Sequence, residues 1–550
     1  MIPPNNVFRG PSSVVDFFDP EKNPPLPLVE IPDRLNPYRK DGVRIYAKLL
    51  TTLPAHNVKS LPALKMLRGL PQAQDRTIVE ASSGSTVLSL GIIARVLWGH
   101  EDVNAYVTNK KHPESLNLLR FFGITPHLYG GLTQQEPTDE TGIMCRLRRL
   151  VKKRDDVVYP GQYHNEDNWK SHEVWTGPQI LQQLPEINIF STTVGTGGCI
   201  TGTASYLKSA KPSCTTIGVF NAFGDPTPGP RQFEGFKSCG FPWGPLIDTF
   251  VDVSSVDSFR MSMRLSREGL IAGPSSGEAL KGLLDYIGEQ KNLGQLARHA
   301  DEITGEISCV FTCSDLPYQY LPQYFQKLGA DEFPEIQNQI LLKCDQLRHD
   351  EGWILEPDKC LEMVRYKPAL DIDKNKVSVS STSLGSDIKE ARPVGSGTPS
   401  LWSTIRTCFS GLIGSSKEGL RLPGCCATRQ TGQPDALPLV LDIRPKAQFE
   451  KQHLPGSISM PLEKMTPELA DGDLFGDANA TFLIWNEIQD MFASSQGKRL
   501  IEGLKKSGQS MVVICHDGNA SLLATSTMRN RGVDVFNVRG GFERLKLVLY

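Results

Sequence analysis

Apolar residues in the first 330 positions fall into short runs rather than long stripes. Val43-Arg44-Ile45-Tyr46-Ala47-Lys48-Leu49-Leu50, Thr77-Ile78-Val79-Glu80-Ala81 and Val103-Asn104-Ala105-Tyr106-Val107 are three of them. Ile187-Asn188-Ile189-Phe190-Ser191-Thr192-Thr193-Val194, Thr215-Thr216-Ile217-Gly218-Val219-Phe220 and Ile307-Ser308-Cys309-Val310-Phe311-Thr312 continue the series. Each is rich in β-branched or aromatic residues and short enough to be a strand. Between them, stretches 61–67, 87–96, 115–122 and 204–210 have a helical texture. Alternation on this scale predicts an α/β sheet with crossover connections. Residues 1 to about 35, rich in proline and polar groups, predict an irregular surface arm. Residues 335–348 predict one further helix. From about 370 to 435, Ser, Gly, Lys and Pro dominate, which reads as a linker with a short amphipathic helix at 402–413. Order resumes with the strand Leu437-Pro438-Leu439-Val440-Leu441-Asp442-Ile443-Arg444 and continues to the C-terminus.

Composition narrows the class without naming it. A chain of 550 residues is too long for one core, so two or three domains are expected. A formal charge of -2 gives no basic excess for nucleic acid. No apolar run reaches the ~20 residues that cross a bilayer. Met1-Ile2-Pro3-Pro4-Asn5-Asn6 lacks a charged region followed by an apolar run, so no secretory leader is expected. Twelve scattered cysteines without a C-x-x-C pair fit reduced thiols in a cytoplasmic protein. The adjacent pair Cys425-Cys426 reads as linker rather than a metal site, and no metal is expected.

Three strings could carry chemistry. Gly195-Thr196-Gly197-Gly198-Cys199 ends a predicted strand and opens a helix, which presents backbone N–H groups to an anion such as a phosphate. A turn that merely permits tight packing fits it equally well. A dinucleotide fingerprint fits poorly, because the G-x-G-x-x-G spacing is not met and the next strand ends in Phe220-Asn221 without an acid. Lys59 lies between a proline-containing loop and a helical stretch. Most lysines are solvated, but a helix start disfavours the cation and favours the neutral amine that Schiff-base chemistry needs. Gly273-Pro274-Ser275-Ser276-Gly277 reads by itself as a helix start.

In this order the strings resemble the cysteine synthase-like family of pyridoxal 5'-phosphate (PLP) enzymes, the fold-type II group that includes tryptophan synthase β. The family's N-P-x-G-S-V-K-D-R segment is similar to Leu53–Ser60 here, with Val58-Lys59 in place. Its T-S-G-N-T-G loop is similar to Ser82-Ser83-Gly84-Ser85-Thr86-Val87. Its Q-F-x-N-x-x-N run and T-G-P start are similar to Gln162-Tyr163-His164-Asn165-Glu166-Asp167-Asn168 and Thr176-Gly177-Pro178. The resemblance implies that Lys59 carries the cofactor and that Gly195, Thr196, Gly197, Gly198 and Cys199 cradle its phosphate. It implies that Ser275 meets the pyridine nitrogen, and that Ser85 stands where the family's asparagine meets the ring oxygen. Gln162 with Ser82, Ser83, Gly84 and Thr86 would hold the substrate carboxylate. Ser85, Val87, Ser60 and Cys199 depart from the family's Asn, Gly, Asp and Thr, which leaves the expected fold intact and the exact substrate open.

A second set lies near the C-terminus. Leu441-Asp442-Ile443-Arg444, the run Phe449-Glu450-Lys451-Gln452-His453-Leu454-Pro455-Gly456 and Cys515-His516-Asp517-Gly518-Asn519-Ala520-Ser521 resemble a rhodanese domain. A cysteine between a strand end and a helix start is expected to have a lowered thiol pKa and to hold a persulfide on loop N–H groups. His516-Asp517 replaces the basic pair of thiosulfate-using members, so Asp517 would repel that dianion. A protein or small persulfide is the expected donor.

Together these readings predict a two-lobed PLP fold type II domain, a linker and a small α/β rhodanese-like domain. The expected divisions are an arm at 1–35, the PLP domain at 36–335, a helix and flexible linker at 336–435 and the rhodanese-like domain at 436–550. The expected activity is β-replacement or β-elimination on a serine- or cysteine-type amino acid, with O-acetylserine or serine plus a sulfur nucleophile. That makes a transferase or lyase of amino-acid biosynthesis and sulfur metabolism, with Lys59 and Cys515 as catalytic residues. The long linker would let Cys515 reach a PLP site. Two alternatives stand beside it: a cysteine desulfhydrase-type lyase passing sulfur to Cys515, and a non-catalytic PLP-fold scaffold, which Ser85 permits. A homodimer acting on small molecules, without membrane or nucleic acid, is expected.

Overall fold

The computed structural model describes residues 6–366 and 436–549, except 83, 112, 131–136, 237–238, 345–348, 467–468 and 470–471. It separates into two compact units, Met1–Pro334 and Glu335–Tyr550.

The first unit holds strands β1 (Leu28–Glu30), β2 (Val43–Leu49), β3 (Thr77–Glu80), β4 (Val103–Thr108) and β5 (Thr125–Tyr129). After these come β6 (Val157–Val158), β7 (Ile187–Thr193), β8 (Thr215–Asn221), β9 (Thr249–Val253) and β10 (Ile307–Cys313). They form a six-stranded sheet in the order β1-β2-β10-β7-β8-β9 and a four-stranded sheet in the order β5-β4-β3-β6. Every pairing is parallel except β1 on β2. Parallel strands covered on both faces must be apolar on both, and all seven residues of β10 are buried. Leu280, Leu283 and Ile287 of the Pro274–Asn292 helix close one face of the larger sheet over Ile45, Ile217, Val219 and Phe311. The smaller sheet buries Ile78, Val103 and Val107 against Leu64 and Leu67 of the Ser60–Arg68 helix and Leu90 and Ile93 of the Ser85–Trp98 helix. The chain thus leaves the larger sheet after β2, builds the smaller lobe and returns at β7.

The N-terminal arm is more ordered than its proline content predicts. It forms a helix at Ser13–Phe18 and the edge strand β1. Buried Lys48 of β2 ties it down, donating to Leu26 O at 2.8 Å, Gln183 Oε1 at 2.7 Å and Gln179 Oε1 at 3.1 Å.

The second unit is a parallel sheet of β11 (Ile354–Leu355), β12 (Leu439–Asp442), β13 (Ile458–Ser459), β14 (Met511–Ile514) and β15 (Val535–Val538), in the order β11-β15-β14-β12-β13. This corrects the expectation for 336–435 in two ways. The helix predicted at 335–348 is replaced by a short 3-10 turn at Gln339–Lys343, because Asn338 sits in the left-handed region (φ 54°), which a helix cannot pass through. Residues 351–366 belong to the sheet unit rather than to a linker. β11 pairs with β15, and Cys360 of the Pro357–Met363 helix is buried with Val440, Val512, Val538, Phe542 and Leu545. Arg539 bridges Glu351 and Glu356 at 2.8 and 2.6 Å, and Arg529 stacks on Trp353. The stretch read as a linker therefore starts and ends inside the second unit. Its predicted helix at 402–413 and Cys425-Cys426 lie outside the described residues.

Among the described residues no helix is long and apolar enough to cross a membrane, and no group of three or more His, Cys, Asp or Glu side chains could hold a metal ion.

Candidate active site

Lys59 follows a loop fixed by backbone pairing. Asn57 bridges Asp315, and the Val58 N–H donates to Ser314 O at 2.7 Å. Asn57 Oδ1 accepts from the Lys59 N–H and from the Ser89 hydroxyl, both at 2.9 Å. Lys59 is thereby the N-cap of the Ser60–Arg68 helix. Burial pushes its amine below the usual lysine range, while Cys199 and Asp315 nearby push it back up. The shift is toward the neutral amine, and burial is its cause.

β7 runs into Val194 and the glycine turn. Gly197 has φ +85°, left-handed, and caps the Gly198–Ala210 helix. A Cβ on Gly195 would stand 2.7 Å from Gly229 O, and one on Gly198 would collide with Asn168 Oδ1. Asn168 Nδ2 donates to Gln162 O at 2.6 Å and to Thr196 Oγ1 at 3.0 Å, and Thr196 Oγ1 accepts from the Gly198 N–H at 3.3 Å. Asn168 is buried and its Oδ1 has no partner. Its signal in the sequence was the last position of the Gln162–Asn168 run, but its link to Thr196 appears only in three dimensions.

The Thr86 hydroxyl donates to Gln162 Oε1 at 2.5 Å, and Gln162 Nε2 donates to Ala81 O at 3.2 Å. Ser82 Oγ accepts the Gly84 N–H at 3.3 Å, and Ser85 opens the helix that carries Ser89. Ser83 lies outside the described residues. One chain of hydrogen bonds and backbone thus runs from Lys59 through Asn57, Ser89, Thr86, Gln162 and Asn168 to Thr196 and Gly198.

Ser275 sits in the first turn of the Pro274–Asn292 helix, with its Cβ 3.9 Å from where a Cβ on Gly229 would stand. The Gly273 N–H donates to Asp315 O at 2.8 Å, so the segment that holds the Lys59 loop also holds this helix start. Ser276 is engaged, accepting from the Ser314 N–H at 3.0 Å, which leaves Ser275 as the serine free to meet a ligand. Asp315 is pushed up to about 6 by burial and accepts from Tyr320 at 2.6 Å. His172 is pushed down to about 3 by burial and by Lys59, so it is neutral; it bonds Thr176 at 2.8 Å on a π-helical turn. Neither residue was singled out in the sequence.

These groups fit PLP: a lysine amine shifted toward its neutral form, a turn whose glycines cannot bear side chains, an orphaned buried Asn168 oxygen and an unpartnered serine.

In the second unit Cys515 directly follows β14 and is buried. Its Sγ accepts from the Gly518 N–H at 3.1 Å and the Ser521 hydroxyl at 3.2 Å, and its thiol faces Asp517 Oδ1 at 3.5 Å. The lowered thiol pKa expected from the strand–loop–helix position is not what the structure gives. Burial, then Asp517, push Cys515 up to about 11, and the hydrogen bonds recover only part of it. Desolvation outweighs a helix end. The D-x-R pair has a supporting place: Arg444 is buried against Asp442 at 2.6 Å and stacked on Phe542, whose N–H donates to Cys515 O at 2.8 Å.

A family model described as pyridoxal-phosphate dependent enzyme matches residues 22–299, and one described as rhodanese-like domain matches residues 427–547. The cysteine synthase of Aquifex aeolicus (strain VF5) is 31% identical over 281 residues, which are 49% of this chain and 83% of that protein. Cysteine synthase B of Salmonella typhimurium is 30% identical over 267 residues, 47% of this chain and 84% of that protein. The N-(2-amino-2-carboxyethyl)-L-glutamate synthase of Cupriavidus metallidurans is 29% identical over 269 residues, 46% of this chain and 75% of that protein. This chain therefore belongs to the pyridoxal-phosphate-dependent enzymes, with cysteine synthases among its relatives, and carries a C-terminal rhodanese-like domain.

Proposed function

We propose that this enzyme catalyses β-replacement or β-elimination on a serine- or cysteine-type amino acid, with a sulfur nucleophile, and that Cys515 carries sulfur for it. The observation that supports this most is the hydrogen-bonded chain joining the Lys59 loop, the Thr86–Gln162 contact and the Thr196–Gly198 turn. When bound, PLP supplies the electron sink for breaking a bond at the amino-acid β-carbon. Lys59 would hold it, and its Nζ would take the substrate's α-proton. Gly195 to Cys199 would hold its phosphate through their N–H groups, Ser275 would meet its ring nitrogen, and Ser85 would take the place beside the ring oxygen. Ser82, Ser83, Gly84, Thr86 and Gln162 receive the substrate carboxylate. The cysteine synthase relatives support the amino-acid class, and the rhodanese-like domain supports sulfur as the nucleophile. A homodimer in the cytoplasm is part of this reading; the described cysteines are all free thiols, which fits a reducing compartment.

Incubation with O-acetyl-L-serine or L-serine plus sulfide should yield cysteine. Sulfide release from L-cysteine alone would favour the desulfhydrase reading instead. Absence of turnover with cofactor bound would leave a scaffold.

Sulfur carriage has its own test. Cys515 gains one sulfur from a persulfide donor, R–S–SH, releasing R–SH, so electrons balance without an added oxidant. Intact-mass spectrometry should show the added sulfur after exposure to glutathione persulfide, and Cys515→Ser should abolish it. Thiosulfate should load poorly. Asp517→Asn should raise thiosulfate loading roughly tenfold, the effect of removing one like charge near a partly screened site. Equal thiosulfate loading in both proteins would show that Asp517 does not select the donor.

A further inference from the structure

We infer that Glu80 is a positioning residue whose charge governs how tightly the Ser82–Thr86 loop receives a substrate carboxylate; this rests on the proposed role of that loop. Glu80 ends β3, immediately before the loop, and is completely buried. Its Oε1 accepts the Ala81 N–H at 3.0 Å and its Oε2 accepts the Gly161 N–H at 2.9 Å. Ala81 O in turn accepts Gln162 Nε2 at 3.2 Å, and Gln162 Oε1 accepts Thr86 at 2.5 Å. One carboxyl group therefore clamps both segments that would grip the substrate, the loop after Glu80 and the Gly161–Gln162 pair.

The surroundings leave the charge uncompensated. On β4 its paired neighbour is Ala105. Beside it on the β6 side stands the Tyr159 phenol, with Arg148 and Cys145 of the Ile143–Val151 helix and Tyr163 beyond it. Arg148 is committed elsewhere, to His164 at 2.7 Å and Pro137 O at 2.6 Å. No ion pair to Glu80 occurs among the described residues. Burial pushes the carboxyl up to about 8, against the pull of the Gly161, Ala81 and Gln162 amides. The sign follows. A protonated Glu80 does not oppose an incoming carboxylate. As pH rises through that value a fixed negative charge forms at the root of the loop, and substrate affinity falls.

The test uses holoenzyme and follows the visible spectrum during titration with O-acetyl-L-serine and with L-serine, from pH 6.5 to 9.5. Wild type and Glu80→Gln are compared as a ratio of dissociation constants, in which ionisation of the substrate's own amine cancels. Glu80→Gln should retain the cofactor spectrum, and the wild-type to variant ratio should grow about tenfold between pH 7.5 and 9.5, one pKa unit of coupling. A ratio constant with pH, with binding intact, overturns the proposal and leaves the substrate reading standing. No spectral response to either amino acid at any pH overturns both. If Glu80→Gln does not fold, hydrogen exchange on substrate-free wild-type holoenzyme decides. Protection of the Ala81 and Gly161 amides should rise through pH 8, because an ionised carboxylate is the stronger acceptor; unchanged protection overturns the clamp.

Discussion

Lys59→Ala should lose the visible absorbance of the lysine-bound cofactor, and turnover should drop roughly a thousandfold or more, the scale expected when a proton-transferring covalent anchor is removed. The fold should survive. The loop is held by Asn57, Val58 and Ser314 through bonds that do not use the lysine side chain. Thermal stability of the cofactor-free proteins should be equal or slightly higher in the variant, since a buried amine no longer has to be desolvated. Lys48 is the control that makes the result specific. Burial depresses its amine as well, to about 7. Its amine is nevertheless committed to Leu26 O, Gln179 and Gln183, which leaves no donor free for a cofactor. Lys48→Met should therefore keep the absorbance. Full activity in Lys59→Ala, or loss of the band only in Lys48→Met, would move the anchor to another lysine.

The second large effect concerns where the rhodanese-like unit begins. A fragment of residues 436–550 omits β11 and the Pro357–Met363 helix. It would bare the side of the sheet formed by Val512, Val538, Phe542 and Leu545. It would also strand Arg539 without Glu351 and Glu356. Removing the apolar cover of Leu355, Cys360, Leu361 and Tyr366 should cost roughly 5 kcal/mol at about 25 cal/mol per Å² of exposed surface. That corresponds to a midpoint lower by roughly 15 °C or more. A fragment of residues 336–550 should melt well above it. Equal melting temperatures would show that 351–366 is an ornament of the sheet rather than part of it.

These two cases divide what a sequence shows from what it conceals. The strands β2, β3, β4, β7, β8, β10 and β12 announce themselves because short apolar runs enriched in β-branched and aromatic residues are a strand signal. β1 has three residues and β11 has two, and no periodicity exists over that length. Their order comes from partners far away in the chain. The Lys59, Gly195–Cys199 and Cys515 segments were legible because helix starts have a local chemistry. Burial was not. The helix-start argument failed at Cys515, where burial and Asp517 decide the thiol. Glu80 reads as an ordinary strand residue until Gly161 is brought across to it.

The stretch at 367–435 leaves the second unit after the Pro357–Met363 helix and re-enters it at β12. Both described flanks of this stretch belong to one unit. The joint between the units lies at Pro334–Glu335. A protease cutting within 367–435 would leave a particle that runs as one species in gel filtration and as two bands after denaturation. Natural variation in the length of 367–435 would change the number of residues between Lys59 and Cys515 but would leave untouched the residues from Pro334 to β11, where one unit gives way to the other.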